Sequence, residues 1–205
     1  MAQAMALDRS MNSAHPPEKP DLEELIERFQ FSGYKIDEAA SREFKPHQIA
    51  HLGILADRFA AGQNVVFAND MGLGKTKVFV ALVGARNRLL RHAMTSDPDT
   101  RFRPTIIINP PSTILQTFHE IKQHFSMLAP RVYYGTESSW SGPKAKVIRS
   151  GQLVSYTSSL DSSDPNTGRI VILTTFGTLR ARELNKNETR FIIFNRLRKR
   201  ARTGV

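Results

Sequence analysis

Residues 67–90 read FANDMGLGKTKVFVALVGARNRLL, and their centre, Gly72-Leu73-Gly74-Lys75-Thr76, decides how the rest of the chain is read. Two glycines one residue apart let the backbone turn tightly and bring N–H groups close to an anion. A helix from about Lys75 to His92 would aim its N-terminus, with unpaired N–H groups and partial positive charge, at the same place. Lys75 adds a point charge able to reach the β- and γ-phosphates of a nucleotide, and Thr76 a hydroxyl able to ligate Mg²⁺. Just upstream, NVVFA at 64–68 has the content of a short buried strand, so strand, loop and helix follow in the order a phosphate loop requires. The pattern G-x-x-x-x-G-K-[ST] is met except at its first glycine, where Asn69 stands. Met71, Gly72, Leu73, Gly74, Lys75 and Thr76 are therefore the candidate nucleotide contacts, with Thr76 the candidate metal ligand. The plainer reading is a glycine-rich turn that carries a surface lysine.

Strand and helix signals alternate on both sides of the loop. Residues 1–20 are small, polar and proline-bearing and read as a flexible leader. In 21–43, DLEELIERF places Leu22, Leu25, Ile26 and Phe29 on one helical face behind Asp21 as N-cap, giving a short helix and a linker. PHQIAHLGILADRFAAG predicts an amphipathic helix that stops at Gly62. After the phosphate-loop helix, TIIIN, RVYYG, RIVILTTF and RFIIF are strand candidates, separated by PSTILQTFHEIKQHF and GTLRAREL as helices and by SGPKAKVIRSGQL as a weaker one. The Ser, Asp, Asn, Pro and Gly content near 155–168 predicts a loop insertion, and 195–205 is a basic tail. Strands alternating with helices predict an α/β fold, a mostly parallel sheet with helices on both faces, spanning 44–194. Ligands of such sheets bind beyond the carboxyl ends of the strands, which is where the glycine loop falls.

The chain has 205 residues, 40% of them hydrophobic and 23% charged, which suits one well-filled domain rather than two or a disordered chain. Its net charge of +10 attracts polyanions, nucleic acid first among them, although a basic surface kept for solubility would look the same. The absence of cysteine removes disulfides, thiol nucleophiles and thiolate metal sites, and fits an intracellular setting. Apolar runs such as 105–108 and 78–83 are far too short for a membrane span, and the N-terminus lacks a signal-peptide core. The chain reads as soluble and not secreted.

ANDMGLGKT resembles the ADEMGLGKT signature of the Swi/Snf-related ATPases, the chromatin remodellers and DNA translocases of helicase superfamily two. Three further stretches agree in order and spacing. FKPHQIAHLGIL resembles that family's upstream glutamine motif, which implies that Gln48 hydrogen-bonds the adenine of ATP. PTIIINPPSTILQTFHEI resembles its motif Ia, usually written with a tryptophan where Phe118 stands, and RIVILTTFGTLR resembles its motif Ib. The resemblance covers about 44–194 and implies a RecA-like P-loop lobe, ATP and Mg as cofactors, duplex DNA or a nucleosome as partner, and a nuclear location. It also implies that Pro110, Ser112, Thr174 and Thr175 lie beside the DNA sugar-phosphate backbone, a task suited to hydroxyls and backbone amides.

The departures concern acids. Asn69-Asp70 stands where the family has Asp-Glu, and no carboxylate follows Glu188. The family's Asp-Glu-x-His should close the strand after motif Ib, yet RFIIF is followed by NRLRKRARTGV. Asn195 and Arg196 then occupy the acidic positions, so the lobe is expected to be incomplete at its C-terminal end, and the length leaves no room for a second lobe. Phosphoryl transfer needs the magnesium aspartate and a residue that orients water, so ATP binding without hydrolysis by this chain alone is the expectation. A vestigial or regulatory nucleotide- or DNA-binding module is the alternative, and a small P-loop kinase a third reading that the missing acids oppose.

Overall fold

The computed structural model describes residues 21–33, 35–36, 43–68, 70, 72–135, 140–143 and 146–184. The expected leader, the 190–194 strand, the basic tail, Asn69 and Met71 lie outside these residues. Six α-helices and three strands follow in the order α1 (Leu22–Arg28), α2 (Pro46–Ala60), α3 (Lys75–Met94), β1 (Thr105–Ile108), α4 (Ile114–His124), β2 (Ala129–Tyr133), α5 (Leu153–Ser158), β3 (Ile170–Thr174) and α6 (Phe176–Leu179). A π-helical turn, Arg180–Leu184, continues α6, and short 3₁₀ turns precede α4 and β3.

The sheet is wholly parallel with the order β1-β3-β2, so β3, last in sequence, sits in the middle. Its sequence IVILT explains why, since all five residues are buried and no polar alternation marks a solvent face. Val171 and Leu173 pack into the larger core with α1 to α4, while Ile170 and Ile172 pack into a smaller one with Tyr133, Leu153 and Leu179. Helices thus cover both faces, as an α/β lobe requires. Each fully buried aliphatic side chain here contributes about 1.5–3 kcal/mol relative to exposure.

Four sequence expectations change. NVVFA forms no strand: Val66 is 92% exposed, and no strand lies beside 64–68 among the described residues, so β propensity there finds no ladder to join. SGPKAKVIRSGQL forms no α-helix where described before Leu153; Val147 instead bridges Val132 of β2 in parallel, and the helix starts only at Leu153. The insertion near 155–168 begins within that helix, because Ser155 and Thr157 return their hydroxyls to the carbonyls of Gln152 and Leu153. The rest of it is a run of Asx turns, with Ser163 donating twice to Asp161, and Asn87 of α3 holds it by donating to the Pro165 carbonyl. Those two bonds from Ser163 hold the Asp161 carboxyl below its ordinary range.

The fourth change concerns 21–43, whose described residues between 21 and 36 contribute to the core. Leu25, Phe29, Phe31 and Ile36 are buried in the larger cluster. Asp21 caps α1 as expected, accepting from the Glu23 amide at 2.9 Å. Arg88 of α3 donates to the carbonyls of Phe29 and Gln30, satisfying groups left open at the end of α1, and Arg28 pairs with Asp57 of α2 at 2.6 Å.

Candidate phosphate-binding site

Gly74 is the N-cap of α3, in the left-handed region at φ +77°, and Gly72 is also left-handed at φ +86°. The two glycines are needed for different reasons. A Cβ on Gly72 would meet nothing, so only its φ demands glycine, whereas a Cβ on Gly74 would stand 2.4 Å from Nε2 of Gln48. Helix α3 is twenty residues long, has no acidic residue in its first turn and no side-chain cap. Its first N–H groups therefore remain open to an anion, beside the positive end of the helix dipole.

Gln48 is 6% exposed, and both ends of its amide are engaged. Nε2 donates to the Leu73 carbonyl at 3.0 Å, and Oε1 accepts from the Lys45 amide at 3.1 Å. The glutamine that the family resemblance singled out thus ties the start of α2 to the loop itself. Lys75 Nζ donates to the Asp70 carbonyl at 2.9 Å, folding back over the loop that precedes it. Lys77 points to the other side, donating to the Glu43 carbonyl with its ammonium 4.3 Å from the centre of the Phe44 ring. Met71 lies outside the described residues.

Residues 47, 51 and 67 form a chain of rings that the sequence reading missed. His47 and His51 stand 6.0 Å apart on one face of α2, and His51 meets Phe67 edge-on at 5.3 Å. Their i, i+4 spacing was the available signal. Burial, aided by the charge of His47, holds the His51 imidazole below its ordinary value, favouring a neutral ring just before the loop. A cleft of about 530 Å³ is lined by Lys75, Thr76, Phe79 and Leu82 of α3, by Leu55 and Phe59 of α2, and by Gln63, Asn64, Val65 and Phe67.

The other candidate residues cluster where β1 and β3 end. Ile108 is in register with Thr174, and the Asn109 amide donates to the Thr174 carbonyl at 2.8 Å, which places Pro110, Ser112, Thr174 and Thr175 at one edge of the lobe. Pro110 and Ser112 are exposed. The side chains of the two threonines are already used: Thr174 is fully buried with its hydroxyl donating to the Tyr133 carbonyl, and Thr175 caps α6 by accepting from the Thr178 amide. Asn109, not singled out from sequence, donates to the Thr117 hydroxyl and keeps a buried Oδ1 that accepts from no described residue.

A left-handed glycine loop, a helix N-terminus with no side-chain cap, a lysine and a hydroxyl follow one another here in the arrangement of a phosphate loop that opens a helix. A match to the SNF2-related domain covers residues 47–197, and the chain belongs to that family. It is also similar to the TATA-binding protein-associated factor mot1 of two strains of Aspergillus fumigatus, 28% identical over 120 residues in each. That stretch is 58% of this chain and 6% of the relative, so the chain spans a small fraction of the length of the curated relatives it matches. The chain therefore carries Swi/Snf-family ATPase-domain sequence in an α/β setting suited to an N-terminal lobe. No helix among the described residues is long and apolar enough to cross a membrane.

Gly74→Ala tests how tightly the site is built. The substitution meets both an unfavourable φ and the Gln48 amide, so the thermal midpoint is expected to drop by several degrees and nucleotide binding to weaken. Gly72→Ala, strained in φ alone, should cost less; equal losses at the two positions would contradict the contact with Gln48.

Proposed function

We propose that this lobe binds ATP through its phosphate loop and duplex DNA along the edge formed by the ends of β1 and β3, without hydrolysing ATP by itself. The observation that carries the reading is the left-handed Gly74 capping a helix whose first turn holds no carboxylate. The residues suit the phosphates. Backbone amides of 72–76 would cradle them, Lys75 would exchange the Asp70 carbonyl for a phosphate oxygen, and Gln48, whose amide is engaged by Leu73 and Lys45, would have to exchange a partner to reach the adenine. Thr76 offers one oxygen to Mg²⁺, and among the described residues no cluster of three metal-ligating side chains accompanies it. Bound Mg²⁺ neutralises charge on the β- and γ-phosphates.

Turnover needs an aspartate for the metal and a group that orients water, and the sequence supplies no acid after Glu188. These residues by themselves would then bind ATP without hydrolysing it. A vestigial or regulatory nucleotide- or DNA-binding module without turnover is the alternative. The net charge of +10 and the exposed Pro110 and Ser112 support contact with DNA backbone, with Thr174 and Thr175 shaping the edge rather than lending hydroxyls. The relative's name supports a nuclear, transcription-associated setting, with TATA-binding protein or a nucleosome as partners to test.

The test is a titration of the whole chain with a fluorescent ATP analogue, with and without Mg²⁺, beside a phosphate-release assay. Micromolar binding with no release above background is expected. Release that depends on Lys75 would refute the non-hydrolysing reading, and absence of binding would refute the site. For a DNA duplex, the affinity should fall steeply as salt rises, with log K linear in log salt; a salt-independent affinity would rule out phosphate contacts.

A further inference from the structure

The cleft beside the phosphate loop has room for more than phosphate. At about 530 Å³ it falls within the roughly 300–1,000 Å³ of small-molecule sites, and Lys75 and Thr76, the candidate phosphate and metal contacts, form part of its lining. Much of the remaining wall is apolar, with Phe59 of α2, Phe67, and Phe79 and Leu82 of α3. Two of these rings are braced by neighbours outside the lining. His51 meets Phe67 edge-on, and the Arg86 guanidinium lies 5.3 Å from the centre of the Phe59 ring, which is still 53% exposed. Apart from Lys75 and Thr76, the polar side chains of the lining are Gln63 and Asn64. Gln63 Oε1 accepts from Arg58 at 2.9 Å, while Asn64 carries a donor and an acceptor on one amide that can turn over.

Gln48, by contrast, is poorly placed to read a base. Its Oε1 accepts from the Lys45 amide and its Nε2 donates to the Leu73 carbonyl, and Gly74 packs so closely on that nitrogen that a Cβ there would collide with it. At 6% exposure, little of the amide is left for a ligand.

We propose that the base of a bound nucleotide lies in this cleft, stacked among Phe59, Phe67 and Phe79, and that the site takes purine nucleoside triphosphates without choosing between adenine and guanine. The inference rests on the phosphates being held at Lys75 and Thr76, as proposed above. Every base has a π-face, so rings bind it without reading its edge. Discrimination needs fixed polar groups that the wrong ligand leaves unpaired. A single amide that can present either end to a 6-amino or a 6-oxo purine supplies none.

Competition against a ribose-labelled fluorescent ATP analogue, run on the whole chain with Mg²⁺, separates the cleft from the loop. ATP and GTP should compete within about 3-fold of each other, and inorganic tripolyphosphate at least about 10-fold more weakly than either. Phe59→Ala, at an exposed position that contributes little to the fold, should weaken ATP and GTP alike by about 5- to 10-fold and leave tripolyphosphate unchanged. Phe59→Trp should keep the affinities of the unaltered chain. A larger preference for either base would assign its reading to a fixed polar group and overturn the proposal. Tripolyphosphate competing as well as ATP would overturn it too, as would a Phe59→Ala loss that tripolyphosphate shares, or no loss at all. Each of those results leaves the phosphate loop standing. Failure of the analogue to bind would instead remove the loop and the cleft together.

Discussion

Replacing Lys75 with alanine is expected to weaken ATP binding by about 10- to 100-fold while leaving the thermal midpoint of the lobe nearly unchanged. Hydrogen bonds to charged groups are worth about 1.5–3 kcal/mol, and each 1.4 kcal/mol is a factor of ten in affinity. The ammonium bonds the Asp70 carbonyl, so its removal subtracts little from the fold and much from phosphate binding. Lys75→Arg should not restore full affinity, since a planar fork replaces a compact charge in a tight loop. Fluorescence titration of the two variants with an ATP analogue makes the comparison, and wild-type affinity in Lys75→Ala would remove the phosphate-loop assignment altogether.

Phe118→Ala is expected to destabilise the lobe by about 3–5 kcal/mol, a large part of the roughly 5–15 kcal/mol that a domain of this size commands. The ring is 1% exposed on α4 and meets Trp140 edge-on at 5.4 Å between centroids. Its loss removes apolar burial, leaves a cavity, and forfeits an aromatic pair worth about 0.5–1.5 kcal/mol. Trp140 is the only tryptophan in the chain, so its fluorescence follows unfolding by urea directly. The midpoint should fall by about 1–3 M given the usual dependence on denaturant. A shift below a few tenths molar would mean that α4 does not pack through Phe118 in solution.

The glycine loop and its helix were legible from sequence because the requirement is local: left-handed φ at 72 and 74, and a helix start that leaves N–H groups free. β3 was legible for a different reason, since an unbroken apolar run admits no solvent face. NVVFA failed because a strand is a property of two segments, and pattern reading sees only one. The hydroxyls of Thr174 and Thr175 show a related limit. Sequence gave the residue types wanted at a DNA-facing edge, but only coordinates reveal that one hydroxyl is spent on Tyr133 and the other on a helix cap. Gln48 was singled out by the resemblance of FKPHQIAHLGIL to the family's glutamine motif, while its bond to Leu73, which sets its amide against Gly74, was not.

Family likeness starts at residue 47, yet four side chains between 25 and 36 lie in the same hydrophobic cluster as α2 and α3. The stretch that matches the family and the stretch that packs together therefore do not coincide. A recombinant lobe cut at the homology boundary would strip Phe29 and Ile36 from that cluster and deprive Arg88 of its two carbonyl acceptors, exposing an oily flank of the nucleotide helix.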